Sequence, residues 1–133
     1  GTFDGSRLTA GQLSVRNFYQ QILTLIQNER ALSEGELYDL QYANFQNNHY
    51  DTNRQYSWIR YVENAWVLLV VNFDNKEVDL QINIPREALD FIGLEGTKKA
   101  VDLLGSTAYE DWKSGDLFAA KVKANHVLLI KLF

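Results

Sequence analysis

The side chains best equipped for chemistry crowd into "STAYEDWKSGD", residues 106–116, where Glu110, Asp111 and Asp116 surround Trp112. Two carboxylates beside an aromatic platform are the equipment of glycoside hydrolysis, in which one acts as acid and the other as nucleophile or base. That chemistry also needs one carboxyl group kept protonated by burial or by a like charge. Acidic residues in a polar stretch are ordinarily solvated, so these three are expected to be surface charges. The aromatics are the stronger candidates. Tyr50, Tyr109 and Trp112 are the rings that fall in stretches reading as polar loops, and an exposed ring stacks on the apolar face of a sugar. Carbohydrate binding through Trp112 and Tyr109 is the site this pattern suggests; packing of Trp112 beneath its own loop is the alternative.

Other constellations fail on residue type or spacing. His49 and His126 are the only histidines, far apart in sequence and outside any H-E-x-x-H pattern, which argues against a zinc site. His126 follows a turn at the start of a strand pattern, the place of a solvated cap. No serine occupies a G-x-S-x-G elbow and there is no cysteine, so a nucleophilic triad has nothing to build on and disulfides are excluded. Asp51 and Asn53 are a fragment of a calcium loop whose other ligands are missing. "GLEGTKK", residues 93–99, lacks the strand–loop–helix setting of a phosphate cradle. The expectation is no catalytic residue, no metal and no cofactor.

The elements that would position these residues are mostly strands. Residues 9–30 form the one long helical pattern: Thr9 and Gln12 have capping-box spacing. Val15, Phe18, Tyr19, Ile22, Leu23, Leu25 and Ile26 then fall within an arc of about 160°. A surface helix needs a stripe of only about 100°, so this helix has apolar surface enough for two partners. After "ALSEG" the pattern turns to β. Residues 36–42 alternate; 56–62 and 66–73 make a hairpin around Glu63, Asn64 and Ala65. Val67 to Val71 is an unbroken apolar run, the mark of a strand covered on both faces. Val78, Leu80, Ile82 and Ile84 alternate with Asp79, Gln81 and Asn83, the mark of a strand with one face in water. Pro85 is expected at the first position of a short helix over "REALDFI", with Gly93 just past its end. "KAVDLLG" reads as a strand closing at Gly105, residues 106–115 as a polar loop, and "DLFAAKVK" and "HVLLIKLF" as the last two strands. The expected fold is all-β: an antiparallel, Greek-key-like sandwich of seven to eight strands preceded by one N-terminal α-helix. Residues 1–35 would form the helical segment and 36–133 the sandwich.

The totals set outer limits. A chain of 133 residues buries one core without staples, and 46% apolar with 23% charged residues is ordinary globular composition. With 13 basic and 17 acidic residues, unclustered, the charge of −4 offers no basic face to nucleic acid or to an anionic membrane surface. No apolar run approaches the roughly 18 residues of a membrane span. The absence of any methionine suggests a fragment of a longer protein.

Taken in order, the motifs resemble a known arrangement. "TFDGSRLTAGQLSVRNFYQQILTLIQNERALSEGELYDL" resembles the end of the catalytic barrel in the α-amylase family of glycoside hydrolases, where an "FDGG" loop leads into the last barrel helix. "YSWIRYVENAWVLLVVNFDN" is similar to that family's C-terminal sandwich hairpin, "VDLLGS" to its "DLLTG" turn, and "VKANHVLLIKLF" to its closing strand. The likeness covers nearly the whole chain; it departs at Ile26 and Gln27, where the family commonly carries an arginine. The resemblance implies an α-glucan-active parent whose catalytic aspartates and glutamate lie on earlier barrel strands, none of which maps onto this sequence. It implies a non-catalytic sandwich whose partner is the upstream barrel, packed against the wide helical stripe. Two further expectations follow: the exposed stripe drives a homodimer through the N-terminal helix, and a carbohydrate-binding role for α-glucan stands as the alternative to a purely structural one.

Overall fold

The computed structural model describes residues 9–133; the "FDGS" segment of the resemblance lies outside the described residues. Helix α1 spans Ala10–Asn28. Its N-terminus is the expected capping box, with the Gln12 amide donating to Thr9 Oγ1 at 3.2 Å and the Thr9 amide donating to Gln12 Oε1 at 3.0 Å. A break at Glu29 separates it from the single turn α2, Arg30–Ser33. The strands follow: β1 Glu36–Asp39, β2 Gln55–Val62, β3 Ala65–Asn72, β4 Val78–Ile82, then helix α3 Arg86–Ile92, and β5 Thr97–Asp102, β6 Ala108–Lys113, β7 Phe118–Val122 and β8 His126–Leu132. All pairings are antiparallel. One sheet has the order β1-β2-β3-β8-β5-β6; β4 and β7 form a second, two-stranded sheet across the core. This is the expected sandwich behind one N-terminal helix.

The two kinds of strand seen in the sequence have a common cause. β3 lies in the interior of the large sheet between β2 and β8. Leu68 and Val70 point into the sandwich with Ile59, Leu80, Ile82, Val122 and Ile130. Val67 and Leu69 point the other way, meeting Leu129, Ala31 and Leu25 beneath the helices. Both faces are covered, one by the second sheet and one by α1 and α2. β4 belongs to the small sheet, with Leu80 and Ile82 inward and Asp79 outward.

Several local expectations need correction. The strand over 36–42 stops at Asp39, because Leu40 turns to ψ −1° and a 3-10 turn over Gln41–Ala43 follows. Pro85 is the N-cap of α3 rather than its first residue; Gly93 holds the left-handed C-cap position at φ 70°. The last two strands are as expected, with a turn at Asn125 (φ 53°) that carries the chain from β7 in the small sheet to β8 in the large one. The largest correction is residues 106–115, expected as a polar loop: most of it is β6, paired with β5.

Buried amides join the two sheets. Asn72 Nδ2 donates to the carbonyls of Lys76, Val122 and Lys123 at 2.9–3.2 Å, while its Oδ1 accepts from Gln55 Nε2 at 3.1 Å. Asn44 Nδ2 donates to the Leu40 and Asn83 carbonyls at 2.8 and 3.1 Å, and the Asn83 amide returns a bond to Asn44 Oδ1 at 2.9 Å. The polar stretch after β1 is therefore a strap bonded to the edge of β4. At the other end, Arg60 Nη2 donates to the Leu32 and Gly35 carbonyls at 3.0 and 2.7 Å, fixing the helices to the large sheet. Gly35 has no room for a side chain, since a Cβ there would lie 2.1 Å from the Ala31 carbonyl oxygen.

Candidate functional site

The carboxylates of "STAYEDWKSGD" lie where solvated charges belong. Glu110 and Asp111 are both exposed on β6, and Asp116 is exposed in the turn after it. Two consecutive outward residues break the alternation of a strand, and the pairing shows why. Lys98 opposes Trp112 and Ala100 opposes Tyr109, so β6 has one more residue than β5 over the same span. This bulge turns Tyr109 and Trp112 to the same side, although their spacing would put them on opposite faces. Both pack on Phe118, with ring centroids 5.8 and 6.3 Å away.

Trp112 is thus a core residue, 5% exposed, its indole N–H donating to the Asp116 carbonyl at 2.9 Å. Tyr109 is half-buried, and burial, then the nearby charge of Asp102, raises its phenol above the ordinary value. The two rings do share one shallow hollow of about 330 Å³ with Glu110, Asp111 and Asp116. Tyr50, the third ring expected in a loop, is buried. Its hydroxyl donates to Gln41 Oε1 and lies 2.8 Å from Ser57 Oγ; burial is the leading cause that pushes its phenol up to about 12.

Neither histidine is placed for catalysis. The His49 amide donates to Asn47 Oδ1 in the strap, and His126 Nδ1 lies 2.7 Å from the Ala124 carbonyl at the exposed start of β8. Asp51 Oδ1 accepts from the Asn53 amide at 2.9 Å, closing an ordinary Asx turn. Among the described residues, no three His, Asp or Glu side chains converge on a point where a metal ion would sit. The "VDLLGS" motif is architectural: buried Asp102 accepts the amides of Leu104, Gly105 and Leu129 at 3.1–3.2 Å and so shapes the turn that faces α1.

Two further surfaces stand out among the described residues. The first is the outer half of α1, where Val15, Tyr19 and Leu23 are 57%, 63% and 56% exposed, while Leu25 on the other flank packs on the sheet. The second is a group of four rings, none of them among the loop aromatics that the sequence singles out. Phe91 on α3 lies 5.5 Å from Tyr38 on β1 and 6.2 Å from Tyr61 on β2, and Tyr42 lies 6.2 Å from Tyr38. The phenol oxygens of Tyr38 and Tyr42 are 2.6 Å apart. The missed signal is the position of β1 at the open edge of its sheet, which leaves inward-pointing rings at the rim with no strand beyond them.

No protein-family model matches the sequence, and no curated protein matches it. Solved structures do share the fold. AmyP in complex with maltose superposes with a TM-score of 0.70 at 16% identity, over 98% of this chain and 23% of AmyP. Alpha-galactosidase I from Mortierella vinacea gives 0.61 at 11% identity over 98% of this chain and 30% of its own. Isomaltulose synthase from Klebsiella sp. LX3 gives 0.55 at 21% identity over 90% and 18%. The described chain therefore has the fold of a part of these carbohydrate-active enzymes, spanning about a quarter of AmyP.

Proposed function

We propose that this chain is the C-terminal accessory sandwich of an α-amylase-family glycoside hydrolase acting on α-glucans. Residues 1–35 would contribute the end of the catalytic barrel, and 36–133 the sandwich that packs on it. The observation that carries this reading is the largely uncovered stripe of α1. Leu25 packs with Val67 and Leu129 of the large sheet, while Val15, Phe18, Tyr19, Leu23 and Ile26 are exposed to solvent. Burying an aliphatic side chain is worth roughly 1.5–3 kcal/mol, so this exposed flank offers several kcal/mol to whatever covers it. The shared fold with part of AmyP and of isomaltulose synthase supports a domain in a larger enzyme. The role in this reading is structural: no metal-binding cluster forms among the described residues, and the chain should release no reducing sugar from soluble starch on its own.

The reading requires a barrel encoded upstream of this chain. Expressed as a separate polypeptide, that barrel should form a complex with this chain, and Leu23→Glu with Ile26→Glu should abolish it. A folded, starch-hydrolysing barrel with no affinity for this chain would overturn the reading. Without a barrel, the same flank should pair two copies of this chain. Light scattering should then show a concentration-dependent dimer that the double variant returns to monomer; a strict monomer at high concentration would refute that expectation.

A second reading, α-glucan binding at Tyr109 and Trp112, has one supporting observation, the hollow the two rings share. Its test is an NMR titration with a malto-oligosaccharide: the Trp112 indole signal must move and saturate for the reading to stand.

A further inference from the structure

The four-ring group at the edge of the large sheet is anchored through α3. α3 docks through Ala88, Leu89 and Ile92, all buried, and Trp66 Nε1 donates to the Ile92 carbonyl at 2.9 Å. Phe91, on the same turn, is thereby fixed with its ring 68% exposed. Tyr38 and Tyr61 flank it from adjacent strands, and Tyr42 extends the group from the 3-10 turn, 45% exposed. An exposed aromatic ring is disfavoured in water, and four in contact form a patch of the kind that marks an interaction site.

The polar groups around the rings identify what the patch suits. Tyr61 donates its hydroxyl to Glu36 Oε2 at 3.2 Å. The Tyr38 and Tyr42 hydroxyls bond each other. Desolvation, the bond to Tyr38 and the charge of Glu87 hold the Tyr42 phenol above its ordinary value. The rim is therefore one of hydroxyls and carboxylates, each carboxylate already beside a phenol and keeping lone pairs for further O–H donors. An anion is excluded by Glu36 and Glu87. A cation would need ring faces converging on an empty centre. Here Phe91 fills the space between Tyr38 and Tyr61, at interplanar angles of 46° and 77°. A neutral polyol with an apolar face fits both halves of the surface, its C–H face on a ring and its hydroxyls on the rim.

The geometry points to Tyr38, Tyr42, Tyr61 and Phe91 as a carbohydrate-binding patch for α-glucan, distinct from the hollow at Trp112. The choice of an α-linked glucan rests on the proposed enzyme reading; the choice of a neutral sugar rests on the rings and their rim. The patch faces away from the barrel-facing flank of α1, since Tyr38 and Tyr61 lie on the sandwich side of the sheet and Arg60 and Val67 on the helix side. A glucan chain could thus be held by the sandwich while α1 is covered.

The test is an NMR titration of the 15N-labelled 133-residue chain with maltoheptaose, and in parallel with cellohexaose and an Arg/Lys-rich peptide. The expected result is saturable movement of the amides of 36–42, 61 and 86–92 at millimolar maltoheptaose, with the Trp112 indole unmoved. Phe91→Ala should weaken binding at least 10-fold, and Phe91→Trp should preserve it. Both substitutions are at a surface ring, and the rest of the amide spectrum reports that the fold is kept. No movement with maltoheptaose, movement centred on Trp112, or tighter saturation by the peptide would each overturn the proposal. A response to cellohexaose alone would overturn the α-glucan assignment while leaving the barrel test of the enzyme reading independent. Loss of barrel binding with glucan binding intact would instead fault the enzyme reading and not the patch.

Discussion

The two layers that cover β3 are built in opposite ways. On one side, the small sheet closes a dry interior in which Ile59, Leu68, Ile82, Val122 and Ile130 are essentially inaccessible, and the polar groups at its edges are bonded. On the other side, α1 runs for 19 residues without one buried side chain and is held by Leu25, by Gln21 Nε2 donating to the Leu104 carbonyl at 3.3 Å, and by a 3.3 Å ion pair between Glu29 and Lys131. The interior is complete within the chain; the helical layer is complete only along one flank. A helix of that length is marginal without tertiary packing, so α1 depends on its contacts with the sandwich, whereas the sandwich has a closed core of its own.

The contrast is sharpest in a pair of leucine truncations. Leu68→Ala should cost about 3–4 kcal/mol in urea denaturation, because it opens a cavity between two sheets. Leu23→Ala on the exposed flank should change stability by less than about 0.5 kcal/mol. Equal losses would mean that the outer flank of α1 is packed in solution. Next in size is the joint between the layers. Gly35→Ala drives a Cβ into the Ala31 and Tyr61 carbonyl oxygens and should cost about 2–3 kcal/mol, read as a lowered thermal midpoint with α1 released from the sheet in hydrogen exchange. A pH dependence confined to the interior comes last. Tyr50 ionises near 10 when unfolded and at about 12 when folded, so its contribution is full below pH 10 and is lost as pH rises from 10 to about 12. Tyr50→Phe should make the alkaline decline shallower while leaving helix docking untouched; an unchanged decline would place the loss elsewhere.

How far the sequence revealed this depended on whether the deciding contact was local. The α1 capping box, the two-faced β3 and the one-faced β4 were legible because periodicity reports burial directly. So was the short helix over "REALDFI", bounded by Pro85 and Gly93. The aromatics were misread in both directions. Trp112 has charged neighbours on both sides, Asp111 and Lys113, yet a bulge in β6 turns it into the core, and a bulge exists only in the pairing with β5. Phe91 and Tyr38 have the pattern of core residues, yet they lie at the rim because β1 is an edge strand, and strand order is not written in any local window. Tyr50 was placed in a polar loop; that loop is bonded by Asn44, Asn47 and Gln41 to distant carbonyls, a set of contacts with sequence separations up to 39. The stripe of α1 was visible as excess width, and only the structure showed how much of it is left uncovered.

The amides that lock the two sheets together have a consequence for the surroundings in which the domain persists. Gln41, Asn44, Gln55 and Asn72 carry no charge, and their bonds run to carbonyls and to one another. Dissolved ions weaken attraction between charges and leave such neutral bonds almost untouched. The helical layer, with Glu29 and Lys131 at its base, does feel them. In brine the ion pairs at the rim would slacken, Glu29 with Lys131 under the helix and Arg54 with Asp74 and Lys121 with Glu77 on the sandwich, while the amide joints between the sheets would stand as they were.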